Sequence, residues 1–337
     1  MRDRVTLQDV ADQARTSKTT AHYVLTGQDQ KLRIAEETRR RVLRAATELR
    51  YRPNLMAKGL RTQVTRSIAF ISDTVATEAY AGNLVYGAIA AAAEHGYLLF
   101  VCETGGDPEL EASLIGDLAS RHVDAYVYAS LFTREVQIPA ELHFERTVLL
   151  NCLAADNSSP AVIPDERQAG RDAACALLDR GHRRAIWLVG EPGEQVLAGA
   201  QRTEGIRQAL SDAGTELAGT VDCKWWPEPA YEQFGAFLDD GGDPSAVICL
   251  NDRVALGVYQ ALKARGRSIP TDVSVVSFDD SDLAAWLQPP LSSIALPHRQ
   301  MAAEAIRLLM TDGALAEHPV HVAMPVRLRE SIGPPRS

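Results

Sequence analysis

Beyond residue 66, apolar runs alternate with amphipathic stretches to the end of the chain. IAFIS (68–72), YLLFVCE (97–103), AYVYAS (125–130), TVLLNC (147–152), AIWLVG (185–190), AVICLN (246–251) and VSVVSFDD (273–280) are apolar blocks of strand length. Near-continuous apolarity over so few residues predicts strands covered on both faces. Between them, LVYGAIAAAAEHG, ELEASLIGDLASR, RDAACALLDRG, GIRQALSDAG, YEQFGAFLDD and VALGVYQALKARG carry apolar residues at helical spacing. A β-α-β rhythm calls for parallel sheets with helices on both faces. About eleven strands are too many for one modest open sheet, so the pattern predicts an α/β body of two lobes.

The first 66 residues have a different rhythm. Thr6 opens T-L-Q-D, a capping signal, and Leu7, Val10, Ala11 and Ala14 then share one helical face. Ser17 is a suitable N-cap for a second helix with Ala21, Val24 and Leu25 inward, and Gly27 is a suitable stop. Two short helices joined by a tight turn predict an all-α helix-turn-helix head. A third helix over 35–50 turns Val42, Leu43, Ala46 and Leu49 inward. A fourth segment starts at Pro53, with Asn54 as cap and Met56, Ala57 and Leu60 on one face. Its short length and Gly59 predict a helix that orders only against a partner.

Charge sharpens the division. Residues 1–66 hold 15 Lys and Arg against 7 Asp and Glu, while the remainder holds 20 against 37, within a net charge of −9. A basic head on an acidic body fits a chain that touches a polyanion with one end. The 46% apolar and 23% charged composition is that of a folded globular protein. The five cysteines include no C-x-x-C pair, which excludes a ribbon-type zinc site and fits a reducing compartment. No secretory signal and no membrane-length apolar run is present, so a soluble cytoplasmic protein is expected, with no metal and no cofactor.

Several strings now combine. VTLQDVA, SKTT, VLTG, EETRRRV and YRPNLMAKGLRT resemble the head of the lactose/galactose-repressor family of bacterial transcription regulators. The loop GQDQKLRIAEETR is closer to that family's fructose- and sucrose-type branch. The similarity continues through GHRRAIWLVG, RTEGI, LNDRVALG, DVSVVSFDD and PPLSSI, so it spans nearly the whole chain in order. The resemblance implies a helix-turn-helix domain at 1–53, a hinge helix and linker at 54–66, and a periplasmic-binding-protein-like body at 67–337. The first lobe is expected at about 67–163 and 291–322, and the second at about 164–290 and 323–337. It also implies a homodimer reading a near-palindromic double-stranded DNA operator, most simply as a repressor controlled by a sugar or sugar phosphate. An effector-independent or co-repressor-dependent regulator of the same fold is the alternative.

In that frame, Lys18, Thr19 and Tyr23, with His22 beside them, would face base edges. Ser17, Thr20 and Thr6 would hold phosphates. Leu60, with Asn54 and Ala57 on the same hinge segment, would wedge into the minor groove, the alternative being that Leu60 packs on the third helix. The chain departs from the family at Arg15, where glycine is usual, and a turn requiring positive φ there would cost stability.

Ligands of open α/β sheets bind beyond the carboxyl ends of the strands. The residues there are 73–80, Ser130, Asn151, Arg202, Trp225 and Trp226, Asn251 and Asp252, and Asp279 and Asp280. Indole faces beside amide, carboxylate and guanidinium groups suit a polyhydroxylated ligand. The resemblance puts Asn151, Arg202, Asn251 and Asp279 in the pocket, joined by Trp226 and His298. Asp252 and Asp280 read as helix N-caps, and His182 as a turn residue after Gly181. The basicity of His298 and Arg299 is a pointer to a phosphosugar. An enzyme is disfavoured, because no nucleophile elbow, Walker loop, H-E-x-x-H or post-strand G-x-G-x-x-G is present. A transport receptor would need a signal peptide and no basic head.

Overall fold

The computed structural model describes residues 5–30, 32–52, 64–78, 81–143, 145–155, 159–193, 196–311 and 319–336. The expected hinge segment, with Asn54, Ala57 and Leu60, lies outside the described residues. The chain divides into two compact units, Met1–Thr65 and Arg66–Ser337.

The head contains α1 (Leu7–Gln13), α2 (Lys18–Leu25) and α3 (Glu36–Glu48). Thr6 and Asp9 close a capping box: Asp9 N donates to Thr6 Oγ1 at 3.3 Å and Thr6 N donates to Asp9 Oδ2 at 2.7 Å. The turn between α1 and α2 does need a left-handed residue, and Arg15 supplies it at φ +50°. Gly27 stops α2 at φ +73°. Val10, Ala11, Ala14, Ala21, Val24, Val42 and Ala45 form the core. Leu43 was expected inside but is 37% exposed, and Ala45 takes that place at 3%. Val42, Ala46 and Leu49 face the core as expected, and Ala45 completes the inner face of α3.

The body holds two six-stranded sheets. The first has the order β11-β5-β4-β3-β1-β2, from β1 (Ser67–Ser72), β2 (Leu98–Glu103), β3 (Ala125–Val136), β4 (Thr147–Ala154), β5 (Ala161–Pro164) and β11 (Val320–Val322). The second has the order β12-β10-β9-β8-β6-β7, from β6 (Ile186–Val189), β7 (Gly219–Val221), β8 (Ala246–Cys249), β9 (Ser274–Asp279), β10 (Ser292–Ala295) and β12 (Val326–Arg327). All the pairings are parallel except that of β10 with β12. Helices α4 (Gly82–Glu94), α5 (Pro108–Ser120) and α11 (His298–Met310) pack with the first sheet. Helices α6 (Glu166–Leu178), α7 (Leu197–Asp212), α8 (Pro227–Asp239), α9 (Asp252–Ala264) and α10 (Asp282–Trp286) belong with the second. No helix of the described residues is long and apolar enough to cross a membrane.

The chain passes between the sheets three times, after β5, after β10 and after β11. Residues 291–295 were expected in the first lobe, but β10 lies in the second sheet, where Ser292–Ala295 pair with Val276–Asp279. The crossing therefore falls at 296–297, where Pro297 cannot donate to a ladder. YLLFVCE was expected to be buried, but β2 is an edge strand with Leu98 61% and Val101 38% exposed. His182 is no surface turn residue. It is fully buried, with Nδ1 at 3.2 Å from Ser245 Oγ and Nε2 at 3.0 Å from both Ser274 Oγ and the Gly333 carbonyl. It thereby ties the tail to the second sheet, and burial pushes its imidazole below the usual range.

Candidate DNA-reading face and ligand cleft

Helix α2 has two faces because its apolar residues repeat at helical spacing. Ala21 and Val24 are buried, while Lys18 and Thr19 are exposed at its first turn. His22 and Tyr23 follow four residues later, so the pairs 18/22 and 19/23 stack on one surface. The two rings are half-buried, with centroids 5.9 Å apart. Ser17 accepts from Thr20 N at 3.0 Å, and the two hydroxyls lie 2.8 Å apart. Ser17, Thr20 and Thr6 are thus engaged in capping, and any hold on a phosphate is shared with that role.

In the body, Arg202 stands on α7 and is 1% exposed. Its Nε donates to Glu166 Oε2 at 2.6 Å, its Nη2 to Glu166 Oε1 at 2.9 Å, and its Nη1 to the Leu250 carbonyl. Asp279 Oδ1 is 3.6 Å from Nη2. The guanidinium carbon also lies 4.6 Å from the Phe278 ring centre and 5.5 Å from that of Trp225. Two glycines permit this fork-to-fork pairing. A Cβ at Gly170 of α6 would collide with the Arg202 carbonyl, and one at Gly205 of α7 with the Arg167 carbonyl. The helices therefore cross in close contact, and Glu166 in the first turn of α6 reaches Arg202.

Asn151 within β4 (+58°), Asp279 at the end of β9 (+101°) and Asp280 just beyond it (+48°) hold positive φ. Backbone strain of this kind persists where the surroundings over-determine it and gathers at binding sites. Burial pushes the Asp279 carboxyl well above the usual carboxylate range, against the pull of Arg202. Asp252 is not an N-cap. Asn251 caps α9, accepting from Val254 N at 2.7 Å, while its Nδ2 donates to the Trp225 carbonyl at 3.5 Å. Asp252 is buried and accepts from the Ser277 hydroxyl, from Ser293 Oγ at 2.8 Å, and from Ser281 N and Oγ, both at 2.8 Å. Nor does Asp280 cap: it pairs with Arg329 at 2.6 Å, and Ser281 stands at the start of α10.

The first sheet presents a second cluster. Ser130 Oγ donates to Asp73 at 2.9 Å and accepts from Arg134 Nε at 2.6 Å. Asn151 Nδ2 donates to the Ser130 and Leu131 carbonyls, each at 3.0 Å, and its Oδ1 accepts from Thr133 at 2.8 Å. Its amide protons are both engaged, so the donor expected of it for a ligand is already committed to its own sheet. The two clusters meet where Phe132 of β3 lies edge-on to Trp225, centroids 6.0 Å apart. They meet again where Arg253 of α9 binds Glu78 at 2.7 Å while lying 4.4 Å over the ring of Trp226.

Of the expected pocket residues, the structure therefore brings Arg202, Asn251 and Asp279 together, and Ser130 with Asn151. Trp226 is 49% exposed under Arg253, whereas Trp225 is the indole beside Arg202. His298 is buried in the first turn of α11, and burial pushes its imidazole down to about 4. Arg299 donates to Asn83 at 3.0 Å and lies 4.5 Å over the Tyr86 ring. Arg299 is thus held by residues of α4, and burial holds the His298 imidazole toward its neutral form. Glu166 carries little signal in the sequence, because the strand before it, AVIP at 161–164, is only four residues long.

Two family profiles match the chain. Residues 6–54 match the profile of the bacterial regulatory proteins, lacI family, and residues 174–332 match a periplasmic binding protein-like domain. The regulator AscG of Escherichia coli is 31% identical over 315 residues, covering 91% of this chain and 92% of AscG. The chain belongs to the lacI family. The repressor PurR of Vibrio vulnificus is 30% identical over 314 residues, covering 90% and 91%. A CelR–cellobiose complex superposes with a TM-score of 0.68 at 27% identity, covering 97% of this chain and all of that one. The Lac repressor dimer bound to operator and the anti-inducer ONPF reaches 0.80 at 22% identity, covering 98% and 99%, and so shares the fold. As a lacI-family member the chain is a DNA-binding transcription regulator and not an enzyme.

Proposed function

We propose that this regulator is a cytoplasmic repressor that grips a near-palindromic operator as a homodimer and is controlled by a small sugar-like effector bound between its two lobes. Residues 1–53 would read the duplex, 54–66 would link, and 67–337 would sense and dimerise. The observation that carries this reading is the pair of polar clusters at the strand ends of the two sheets, joined by Arg253–Glu78 and Phe132–Trp225. A ligand seated there would bind the closed and open arrangements with different affinity, which is what coupling to DNA requires. The CelR structure holds cellobiose, which supports a sugar as the class of effector.

Dimerisation has its own support. Tyr86 and Ile89 on α4, and Leu98 and Phe100 on the edge strand β2, are exposed apolar residues. An uncovered edge strand bearing such residues is a surface for a second copy.

The test is selection from random duplexes by the full-length protein, followed by a salt titration. A near-palindromic consensus and a steep loss of affinity with salt are expected. Absence of any sequence preference, with or without sugars, would overturn the reading.

A further inference from the structure

The guanidinium that would meet a negatively charged ligand in the cleft is already neutralised. Arg202 gives two donors to Glu166 and one to a carbonyl, and Asp279 stands 3.6 Å away as a second carboxylate. Three further arginines beside these clusters each hold a carboxylate. Arg134 holds Asp73 at 3.0 Å, Arg253 holds Glu78 at 2.7 Å, and Arg329 holds Asp280 at 2.6 Å. Two carboxyl groups on one buried arginine leave it no charge to offer an incoming anion. An anion arriving there would find the Arg202 donors already taken, so stripping water from its charge costs more than a single hydrogen bond returns. A hydroxylated, uncharged ring meets carboxylate acceptors and the Trp225–Phe132 aromatic surface instead.

Taking the effector cleft of the preceding subsection as given, we propose that it accepts an uncharged polyhydroxylated ligand and rejects the phosphorylated form. Glu166 is then the specificity-determining residue, because it neutralises Arg202. A free arginine is the natural bidentate partner of a phosphate. Glu166 removes that option without removing the arginine. The geometry needs a carboxylate at this position, placed by the glycine crossing of α6 and α7.

Thermal unfolding of the full-length protein tests this. Glucose, fructose, ribose and cellobiose are compared with glucose 6-phosphate, fructose 1-phosphate and ribose 5-phosphate at matched ionic strength. Any parent sugar that raises Tm is expected to bind at least about tenfold more tightly than its phosphate. A phosphate ester that binds more tightly than its parent overturns the proposal. Inorganic phosphate decides the case where no sugar in the panel binds. It is expected to give no saturable shift on the wild type and a saturable one on Glu166→Gln, lost again in Glu166→Gln/Arg202→Gln. Saturable binding to the wild type, or none to a Glu166→Gln variant that melts cooperatively, overturns it. If Glu166→Gln does not fold, the wild-type comparison with phosphate and the esters still decides. Operator selection is scored separately, so a failed selection would strike the repressor reading and leave this measurement standing.

Discussion

Arg202 and Glu166 face each other fork to fork across the crossing of two helices, 2.6 and 2.9 Å apart, with side chains only 2% and 1% exposed. The family resemblance through RTEGI implies a ligand-contacting arginine; the structure gives this arginine a structural partner first. Removing one member of a buried pair leaves the other charge uncompensated, at a cost of about 3–5 kcal/mol. Arg202→Ala is therefore expected to lower stability by that amount in urea denaturation, beyond any effect on ligand response. Normal stability with only the response lost would contradict the pairing described here.

Arg15 occupies a left-handed turn at φ +50°. An L-residue there costs roughly 1–2 kcal/mol, partly offset in glycine by its freer unfolded chain. Arg15→Gly is expected to stabilise the head by about 0.5–1 kcal/mol. Amide exchange of the α1 and α2 backbone protons reads this locally. Faster exchange in the variant would mean that the arginine contributes something the turn geometry does not.

The close crossing of α6 and α7 makes Gly205 intolerant of a methyl group, because its Cβ would strike the Arg167 carbonyl. Gly205→Ala should cost about 1–3 kcal/mol, despite the better helix propensity of alanine. A neutral or stabilising effect in thermal unfolding would show that the crossing can open freely.

Acid should unfold the body partly through His298. Its folded value of about 4 lies below the unfolded value near 6.5, so the unfolded chain takes up the proton first. The stability it supplies is full above pH 6.5 and is lost as pH falls from there to about 4, amounting to roughly 3 kcal/mol. His182, also lowered, acts in the same direction. The raised carboxyls of Asp252 and Asp279 act in the opposite sense, gaining stability as pH falls through their folded values. His298→Gln isolates the contribution: the wild-type curve should fall below the variant's slope across that window. Parallel curves would exclude it.

Much of the molecule follows from local pattern. The capping box at Thr6 and Asp9, the stop at Gly27 and the seven apolar blocks of the body are short-range features, each determined by residues a few positions apart. The two-lobed α/β organisation follows from them, because so many buried strands cannot share one sheet. The partnerships of the cleft are different. Glu166 meets Arg202 over a separation of 36 residues, Ser130 meets Asp73 over 57, and Arg253 meets Glu78 over 175. No periodicity reports such distances. Whether an arginine faces a ligand or a carboxylate depends on how two helices cross, and that crossing is decided only when glycines bring their backbones into contact. The residue types at the strand ends could be read from the chain alone; which of their hydrogen bonds remain for a ligand was decided by the tertiary structure.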